Sequence, residues 1–134
     1  MIKVARGCCG IEELEQVKEA FEYGYFGLAY KVNEFEDGLK KYLGTEKEVI
    51  ATNTGTSALI LALEAIGVHE GDEVILPSFT FIATAQAVTA CAATPIFCDI
   101  CEDNLLLDII DVRNKITTKT NNITYYTYFL LIKL

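Results

Sequence analysis

Small hydroxyl residues follow the first stretch of strand-forming residues in the chain. The β-branched segment Glu48–Asn53 is predicted to be a buried strand, and Thr54–Ser57 leads from it into an apolar helix predicted over Thr56–Ala65. Backbone N–H groups in the first turn of a helix lack intrahelical partners and carry partial positive charge, so such a turn is suited to holding a phosphate. The candidate phosphate-binding residues are therefore Gly55, Thr56 and Ser57.

The second candidate group, Ser78–Phe81, alternates hydroxyl and aromatic side chains after a strand predicted over Asp72–Leu76. The same segment leads into a helix of small residues predicted over Phe81–Ala92. Ligands of open α/β sheets bind at the carboxyl ends of the strands, which is where this group lies. The residues alone favour packing of the Phe79 and Phe81 rings in the core.

The five cysteines are an odd number without the spacing of a disulfide framework. Cys8 and Cys9 are adjacent, whereas the other three lie in or beside predicted core elements, which favours buried, reduced thiols in a cytosolic protein. A zinc site at Cys98 and Cys101 is the weaker alternative, because the only histidine, His69, lies in a loop and has no assigned role.

Several carboxylates cluster after the third predicted strand, Thr94–Asp99. They lack the glycine turn of a calcium-binding loop, so we interpret them as a polar loop that ends in a helix N-cap and assign Asp99 no chemistry. The carboxylates are Asp99, Glu102, Asp103 and Asp108, of which the last is the predicted cap of a helix over Ile109–Ile116. No metal is expected.

The composition is that of one globular domain. The chain has 134 residues, of which 51% are hydrophobic and 22% charged, and its net charge is −8. This acidic balance argues against nucleic acid and against an anionic membrane surface as partners. We identify no signal peptide, and the last apolar run, Tyr125–Ile132, is too short to span a bilayer, so a cytoplasmic location is expected.

Helices and strands of similar length alternate along the chain. Amphipathic helices are predicted over Ile11–Tyr23 and Val32–Leu43, the latter ended by Gly44 in a left-handed conformation. The Thr56–Ala65 helix is apolar nearly all round, so both of its faces should be covered. The alternation that follows predicts an α/β fold with a mostly parallel sheet.

The last residues differ in character from the rest. Residues 121–134 are predicted to be a divergent apolar tail, in which Ile123–Leu134 has high β propensity and no glycine or proline. Such a segment is an aggregation hazard when nothing covers it.

The middle of the chain resembles the DegT/DnrJ/EryC1/StrS family of pyridoxal-phosphate-dependent aminotransferases, which act on nucleotide-linked keto-sugars. The resemblance runs from about Ile11 to Thr120. It is carried by Phe26-Gly27, Val32–Glu36, Thr54–Leu59, Gly71–Thr84 and Thr94–Ile100. It implies that residues 1–120 are the N-terminal part of the large domain of a fold-type I aminotransferase, a three-layer α/β structure with a mostly parallel sheet.

The resemblance also implies a site and its ligands. Gly55, Thr56 and Ser57 would hold the phosphate of pyridoxal phosphate, and Phe81 would stack on its pyridine ring. The substrates would be a nucleotide-linked keto-sugar and an amino donor such as glutamate, in the biosynthesis of surface polysaccharides or antibiotic sugars. Family members form dimers with active sites at the subunit interface, so a homodimer is a further expectation.

Two catalytic groups of the family have no counterpart here. The Schiff-base lysine and the carboxylate that pairs with the pyridinium nitrogen lie on segments beyond this chain, and none of its lysines stands in the expected motif. The family pattern fades after Ile116–Thr120, where a strand should follow, as a frameshift or early stop would give. We therefore expect a truncated member, inactive alone and of marginal stability, because missing strands leave unpaired sheet edges.

Two other functions stay open. One is a non-catalytic module that pairs with a full-length homologue. The other, a generic nucleotide-binding domain, is weaker because the chain has neither G-x-x-x-x-G-K-[ST] nor G-x-G-x-x-G.

Overall fold

The computed structural model describes residues 7–27, 30–125 and 130–132, which form two compact units, Met1–Ala51 and Thr52–Leu134. The first unit contains two helices, α1 (Ile11–Tyr23) and α2 (Tyr30–Leu43). The second unit contains the remaining elements. These are α3 (Gly55–Ala65), β1 (Glu73–Pro77), α4 (Ala83–Ala90), β2 (Thr94–Cys98), α5 (Ile109–Lys115), β3 (Thr120–Tyr125) and β4 (Leu130–Ile132).

The helices of the first unit lie close to their predicted positions. α1 has the predicted bounds, and Gly44 ends α2 with φ 61°. α2 begins two residues before the predicted Val32, because side chains of its first turn bind back to α1. The Tyr30 ring packs edge-on against Tyr23, with centroids 4.9 Å apart, and Lys31 Nζ lies 2.8 Å from the Glu19 carboxylate.

The second unit is built on a four-stranded sheet in the order β2-β1-β3-β4. β1 is parallel to both of its neighbours, β2 and β3, whereas β3 and β4 are antiparallel. The helices α4 and α5 alternate with β1, β2 and β3 along the chain. The predicted α/β fold with a mostly parallel sheet is therefore confirmed.

Helices cover the two faces of this sheet and make it a three-layer structure. Val74 and Leu76 of β1 pack on one face with Leu63 of α3 and Val88 of α4. Ile75 points to the other face and packs with Val112 of α5, together with Cys98 and Leu107. Successive residues of β1 thus alternate between two apolar clusters, as the pleat of a strand buried on both faces requires.

The predicted first strand, Glu48–Asn53, is wrong. These residues form no strand, and the side chain of Ile50 is 69% exposed. A strand needs a neighbour for its backbone hydrogen bonds, and no described strand lies beside this segment. The Ala51 N–H instead donates to the Glu36 carboxylate over 2.7 Å.

Three other predictions change in detail. α4 begins at Ala83 rather than Phe81, because the residues after β1 form a loop, and Ala92 adopts a left-handed φ of 58° beyond the end of α4. β1 is shifted by one residue at both ends from the predicted Asp72–Leu76, and β2 ends one residue before the predicted Asp99. The expectation that both faces of α3 are covered is wrong for the described chain, since Leu63 is its one buried residue and Leu61 is exposed.

A strand does follow α5, contrary to the expectation that the family pattern ends there. β3 pairs in parallel with β1, so β1 has neighbours on both edges. β3 also spans residues 120 and 121, where the two predicted segments meet, and a domain division at that point stays a prediction. Residues 126–129, 133 and 134 of the predicted tail, and residues 1–6, where a signal peptide would begin, lie outside the described residues.

Within the described ranges, no helix combines the length and apolar character that crossing a membrane requires.

Candidate functional site

The first turn of α3 is held in shape by its N-cap residue. Thr54 has extended backbone angles, φ −151° and ψ 157°, and its Oγ1 accepts the Ser57 N–H over 3.0 Å. Thr52 Oγ1 donates to the Thr54 carbonyl over 2.8 Å and fixes the entry into the turn. This is the arrangement that threonine favours at an N-cap, and it satisfies one of the otherwise unpaired donors of the helix.

The cap leaves other donors of the turn available. In the described chain no residue accepts from the N–H groups of Gly55 or Thr56, the first two of the helix. Ser57 Oγ lies 3.0 Å from Thr54 Oγ1. If Thr54 donates its hydroxyl proton in this contact, the Ser57 proton is free for a ligand. The turn then presents two N–H groups and one O–H.

Space and charge at the turn suit an anion. A Cβ built on Gly55 meets nothing within 4 Å, and the Gly55 φ lies outside the left-handed region, so the fold itself does not require glycine there. The first turn of α3 contains no acidic residue that would repel a phosphate. A glycine that the fold does not need, in front of unpaired N–H groups, favours close approach of a ligand to the backbone.

The aromatic group after β1 is exposed. The side chain of Phe81 is 78% exposed and that of Phe79 is 69% exposed, so the core-packing interpretation is wrong. The backbone around Phe81 is nevertheless held in place, because its carbonyl accepts the Thr84 N–H over 3.0 Å and Thr80 Oγ1 lies 2.9 Å from Thr84 Oγ1. A fixed loop thus carries a flat apolar ring into solvent.

The structure brings Gly55, Thr56 and Ser57 together in one turn but leaves Phe81 in a separate loop. No hydrogen bond or ring contact between described residues joins the Phe81 ring to the start of α3. The two groups share a layer, because α3 and α4 pack in the same apolar cluster through Leu63 and Val88. Thr54 was not predicted as the N-cap, although threonine is a preferred residue at that position, directly before an apolar helical run.

Lys31 and Lys115 are not poised as nucleophiles. The hydrogen bond from Lys115 Nζ to Asp111, 2.7 Å long, raises the pKa of that ammonium group. The hydrogen bond from Lys31 to Glu19 likewise raises the pKa of Lys31. A nucleophilic lysine needs a lowered pKa, because only the neutral amine attacks.

The cysteines of the second unit are shielded from solvent to different degrees. Cys91 and Cys98 are buried and Cys101 is partly buried, as predicted for the cysteines near the core, whereas Cys8 and Cys9 are exposed. Burial raises the pKa of the Cys98 thiol to about 12, which keeps it protonated and unreactive. Among the described residues, no group of three or more His, Cys, Asp or Glu side chains is placed to hold a metal ion.

The fold is a three-layer α/β structure, a class in which ligands bind at the carboxyl ends of the strands. Phe81 follows such an end, and the helix start at α3 is suited to a phosphate. The sequence profile of the DegT/DnrJ/EryC1/StrS aminotransferase family matches residues 8–129, so the chain belongs to this family. The match extends beyond the expected limit at Thr120 and includes β3.

Individual relatives are named for amino transfer to a sugar and for polysaccharide biosynthesis. The chain is 34% identical over 129 residues to the dTDP-4-dehydro-2,3,6-trideoxy-D-glucose 4-aminotransferase of Saccharopolyspora spinosa, covering 96% of this chain and 34% of that protein. It is 39% identical over 111 residues to the spore coat polysaccharide biosynthesis protein SpsC of Bacillus subtilis (strain 168), covering 83% and 28%. The chain therefore spans about a third of the length of these relatives.

Solved structures show the same fold. The putative sugar aminotransferase Spr1654 of Streptococcus pneumoniae, in its PMP form, superposes with a TM-score of 0.87 at 31% identity, covering 92% of this chain and 31% of that one. DesV of S. venezuelae, in complex with a ketimine intermediate, gives a TM-score of 0.80 at 33% identity, covering 86% and 31%. This chain thus has the fold of the three-layer part of a sugar aminotransferase.

Proposed function

We propose that this chain carries the phosphate-binding turn of a pyridoxal-phosphate-dependent sugar aminotransferase, together with one aromatic side chain that stacks on the cofactor ring. The chain would hold the cofactor without a covalent bond. The observation that supports this most strongly is the open first turn of α3. There, no residue of the described chain accepts from the N–H groups of Gly55 and Thr56. The Ser57 hydroxyl joins them as a third donor when Thr54 Oγ1 donates in their 3.0 Å contact.

The donor set matches the chemistry of a phosphate ester. Charge-assisted hydrogen bonds to phosphate oxygens are stronger than neutral ones, and the dipole of α3 favours an anion at this end. Phe81, on a fixed loop after β1, would cover one face of the pyridine ring. When bound in a complete enzyme, the cofactor supplies an electron sink for the carbon that exchanges its amino group.

The chain alone is proposed to be inactive in amino transfer. Lys31 and Lys115 are held protonated by carboxylates, and no lysine of the chain stands in the family's Schiff-base motif. The substrates of the complete protein are proposed to be a nucleotide-linked keto-sugar and an amino donor such as glutamate. Support for this class comes from relatives named for a dTDP-linked sugar and for spore coat polysaccharide. A cytoplasmic location remains a prediction.

A second candidate function is a non-catalytic module that pairs with a full-length homologue, and α1 favours it. Apolar side chains spaced along this helix are all at least half exposed, and α1 buries no residue. They are Ile11, Leu14, Val17 and Phe21. Stoichiometric co-purification with a full-length homologue would support this function, whereas a chain that remains unbound would argue against it.

The test of the main proposal is a titration with pyridoxamine phosphate. This probe carries the phosphate and ring but no aldehyde, so it cannot bond to lysines. We expect saturable binding that is lost with pyridoxamine, which lacks the phosphate. We also expect Ser57→Ala to weaken binding at least about tenfold, since a hydrogen bond to a charged group contributes roughly 1.5–3 kcal/mol. Gly55→Ala should weaken binding for a different reason, because its Cβ would occupy the open space in front of the turn where the phosphate approaches the backbone.

The matched control is Gly38→Ala. Gly38 lies inside α2, and a Cβ there also meets nothing within 4 Å, so both alanine variants should fold. We expect Gly38→Ala to bind the probe like the parent chain. Equal binding of pyridoxamine and pyridoxamine phosphate, or equal effects of the two glycine substitutions, would contradict the proposed phosphate-binding turn.

A further inference from the structure

β2 lies at an edge of the sheet, with β1 on one side only. The Thr94 N–H donates to the Asp72 carbonyl over 2.9 Å, and the Cys98 carbonyl accepts the Ser78 N–H over 2.8 Å. In a parallel strand alternate residues direct their N–H and C=O groups to the same side, so Pro95, Phe97 and Asp99 direct theirs outward. An open row of this kind is a template for another strand.

Most of the outward backbone groups of β2 are unavailable to another strand, because they bond to side chains or to loop backbone. Pro95 has no N–H group, and the Phe97 carbonyl accepts from Lys115 Nζ over 2.8 Å. The Asp99 N–H donates to Asp111 Oδ2 over 2.7 Å, and the Asp99 carbonyl accepts the Asp108 N–H over 2.9 Å. In the described chain no residue accepts from the outward Phe97 N–H.

Asp111 and Lys115 act on this edge as one unit. They lie one turn apart on α5, and Lys115 Nζ donates to Asp111 Oδ2, the oxygen that also receives the Asp99 N–H. α5 itself is anchored by Val112, which packs against Ile75 and Cys98 under the sheet. The hydrogen bond with Lys115 lowers the pKa of Asp111 to about 2, so the carboxylate stays charged over nearly the whole accessible pH range.

We propose that Asp111 and Lys115 form a clamp that closes the β2 edge to strand pairing with a second copy of this chain. The second copy fits because the edge is self-complementary. Across a twofold axis at Phe97, each Phe97 N–H would donate to the Phe97 carbonyl of the other copy, in an antiparallel pair. Lys115 Nζ lies 2.8 Å from that outward carbonyl, where the second strand would approach, so the Lys115 side chain has to move away before the strands can pair.

The test compares Lys115→Met with Arg113→Met in the 134-residue chain. Both variants remove one positive charge from α5, but Arg113 is exposed and has no contact with the β2 edge among the described residues. Sedimentation over a range of concentrations should show Lys115→Met dimerising at a concentration at least about tenfold lower than Arg113→Met or the parent chain. Equal association of the two variants would overturn the proposal.

A second substitution separates edge pairing from general loss of structure. Phe97→Pro removes the outward N–H on which the twofold pair depends, without removing a described hydrogen bond. The double variant Lys115→Met/Phe97→Pro should therefore return to the association of the parent chain. Dimers that persist in the double variant use another surface, and the clamp proposal would then be wrong.

Discussion

The two units differ in how much apolar surface they bury. α1 and α2 bury none of their residues, whereas α4 buries five of its eight, and Val74, Ile75 and Leu76 of β1 are inaccessible to solvent. The sequences of both regions carry regular apolar patterns. An apolar pattern therefore marks the face that an element can bury, while burial itself needs a packing partner within the described chain.

The contacts that stabilise the two units differ accordingly. The first unit has surface ion pairs, such as Lys31–Glu19 at 2.8 Å and Lys40–Glu48 at 2.9 Å. Exposed pairs of this kind contribute about 0–1 kcal/mol each, whereas fully burying a large apolar side chain contributes about 1.5–3 kcal/mol. We therefore expect the second unit to hold most of the free energy of unfolding.

The largest expected difference is in cysteine reactivity. Cys8 and Cys9 of the first unit are exposed, whereas burial raises the pKa of Cys98 from its usual 9.0 to about 12. The thiolate fraction of Cys98 is then roughly a thousandfold smaller, and thiolate is the reacting species. Alkylation followed by peptide mass spectrometry should label Cys8 and Cys9 first. Labelling of Cys98 at the same rate would show that the second unit is not packed as described.

The next effect is on stability. Leu76→Ala removes a side chain that is inaccessible to solvent and should lower the free energy of unfolding by about 2–5 kcal/mol. The same substitution at Leu14, which is exposed on α1, should change it by less than about 0.5 kcal/mol. Urea unfolding followed by circular dichroism measures both. Similar losses at the two positions would mean that α1 is buried as deeply as β1.

A smaller effect is expected at the cap of α3. Thr54→Ala removes the acceptor of the Ser57 N–H and should cost about 1 kcal/mol of unfolding free energy. Thr89→Ala is the matched control, because Thr89 is exposed on α4 and its hydroxyl donates to the Gln86 carbonyl of the same helix. Thermal melts should show a lower midpoint for Thr54→Ala alone. An unchanged midpoint would indicate that the cap does not stabilise α3.

The smallest effect concerns pH. The pKa of Asp111 is lowered from its usual 3.8 to about 2, chiefly by the hydrogen bond with Lys115. A lowered folded-state pKa gives stability that is present above pH ~3.8 and is lost as the pH falls toward 2. The difference in urea midpoint between the parent chain and Asp111→Asn should therefore be constant near neutral pH and shrink below pH ~4. A difference that stays constant down to pH ~2 would contradict this assignment.

The sequence predicts the elements better than their partners. The α1 bounds, the Asp108 cap and the alternation of helices and strands followed from periodicity and capping residues. Glu48–Asn53 and Glu73–Pro77 have similar strand-forming composition, but only the latter has neighbours on both sides, and pairing cannot be read from local composition. β3 was missed as a member of the sheet for the same reason.

The candidate site shows the same limit. Gly55, Thr56 and Ser57 follow from the physics of a helix start, because the whole group lies within one turn. The exposure of Phe81 does not follow from the sequence, since an aromatic residue after a strand is compatible both with core packing and with contact to a ligand. The clamp of Asp111 and Lys115 could not be predicted from the sequence, because it depends on where the β2 edge lies. The sequence indicates only that these two residues, four positions apart, form a pair on one helix face.

The most direct test of the account is borohydride trapping of the isolated chain with pyridoxal phosphate, followed by peptide mass spectrometry and an amino-transfer assay. We expect phosphate-dependent binding, low-level labelling spread over exposed lysines, and no transfer of an amino group from glutamate to a nucleotide-linked keto-sugar. Full labelling of one lysine together with turnover would contradict it, because the chain would then contain the nucleophile that we infer it lacks.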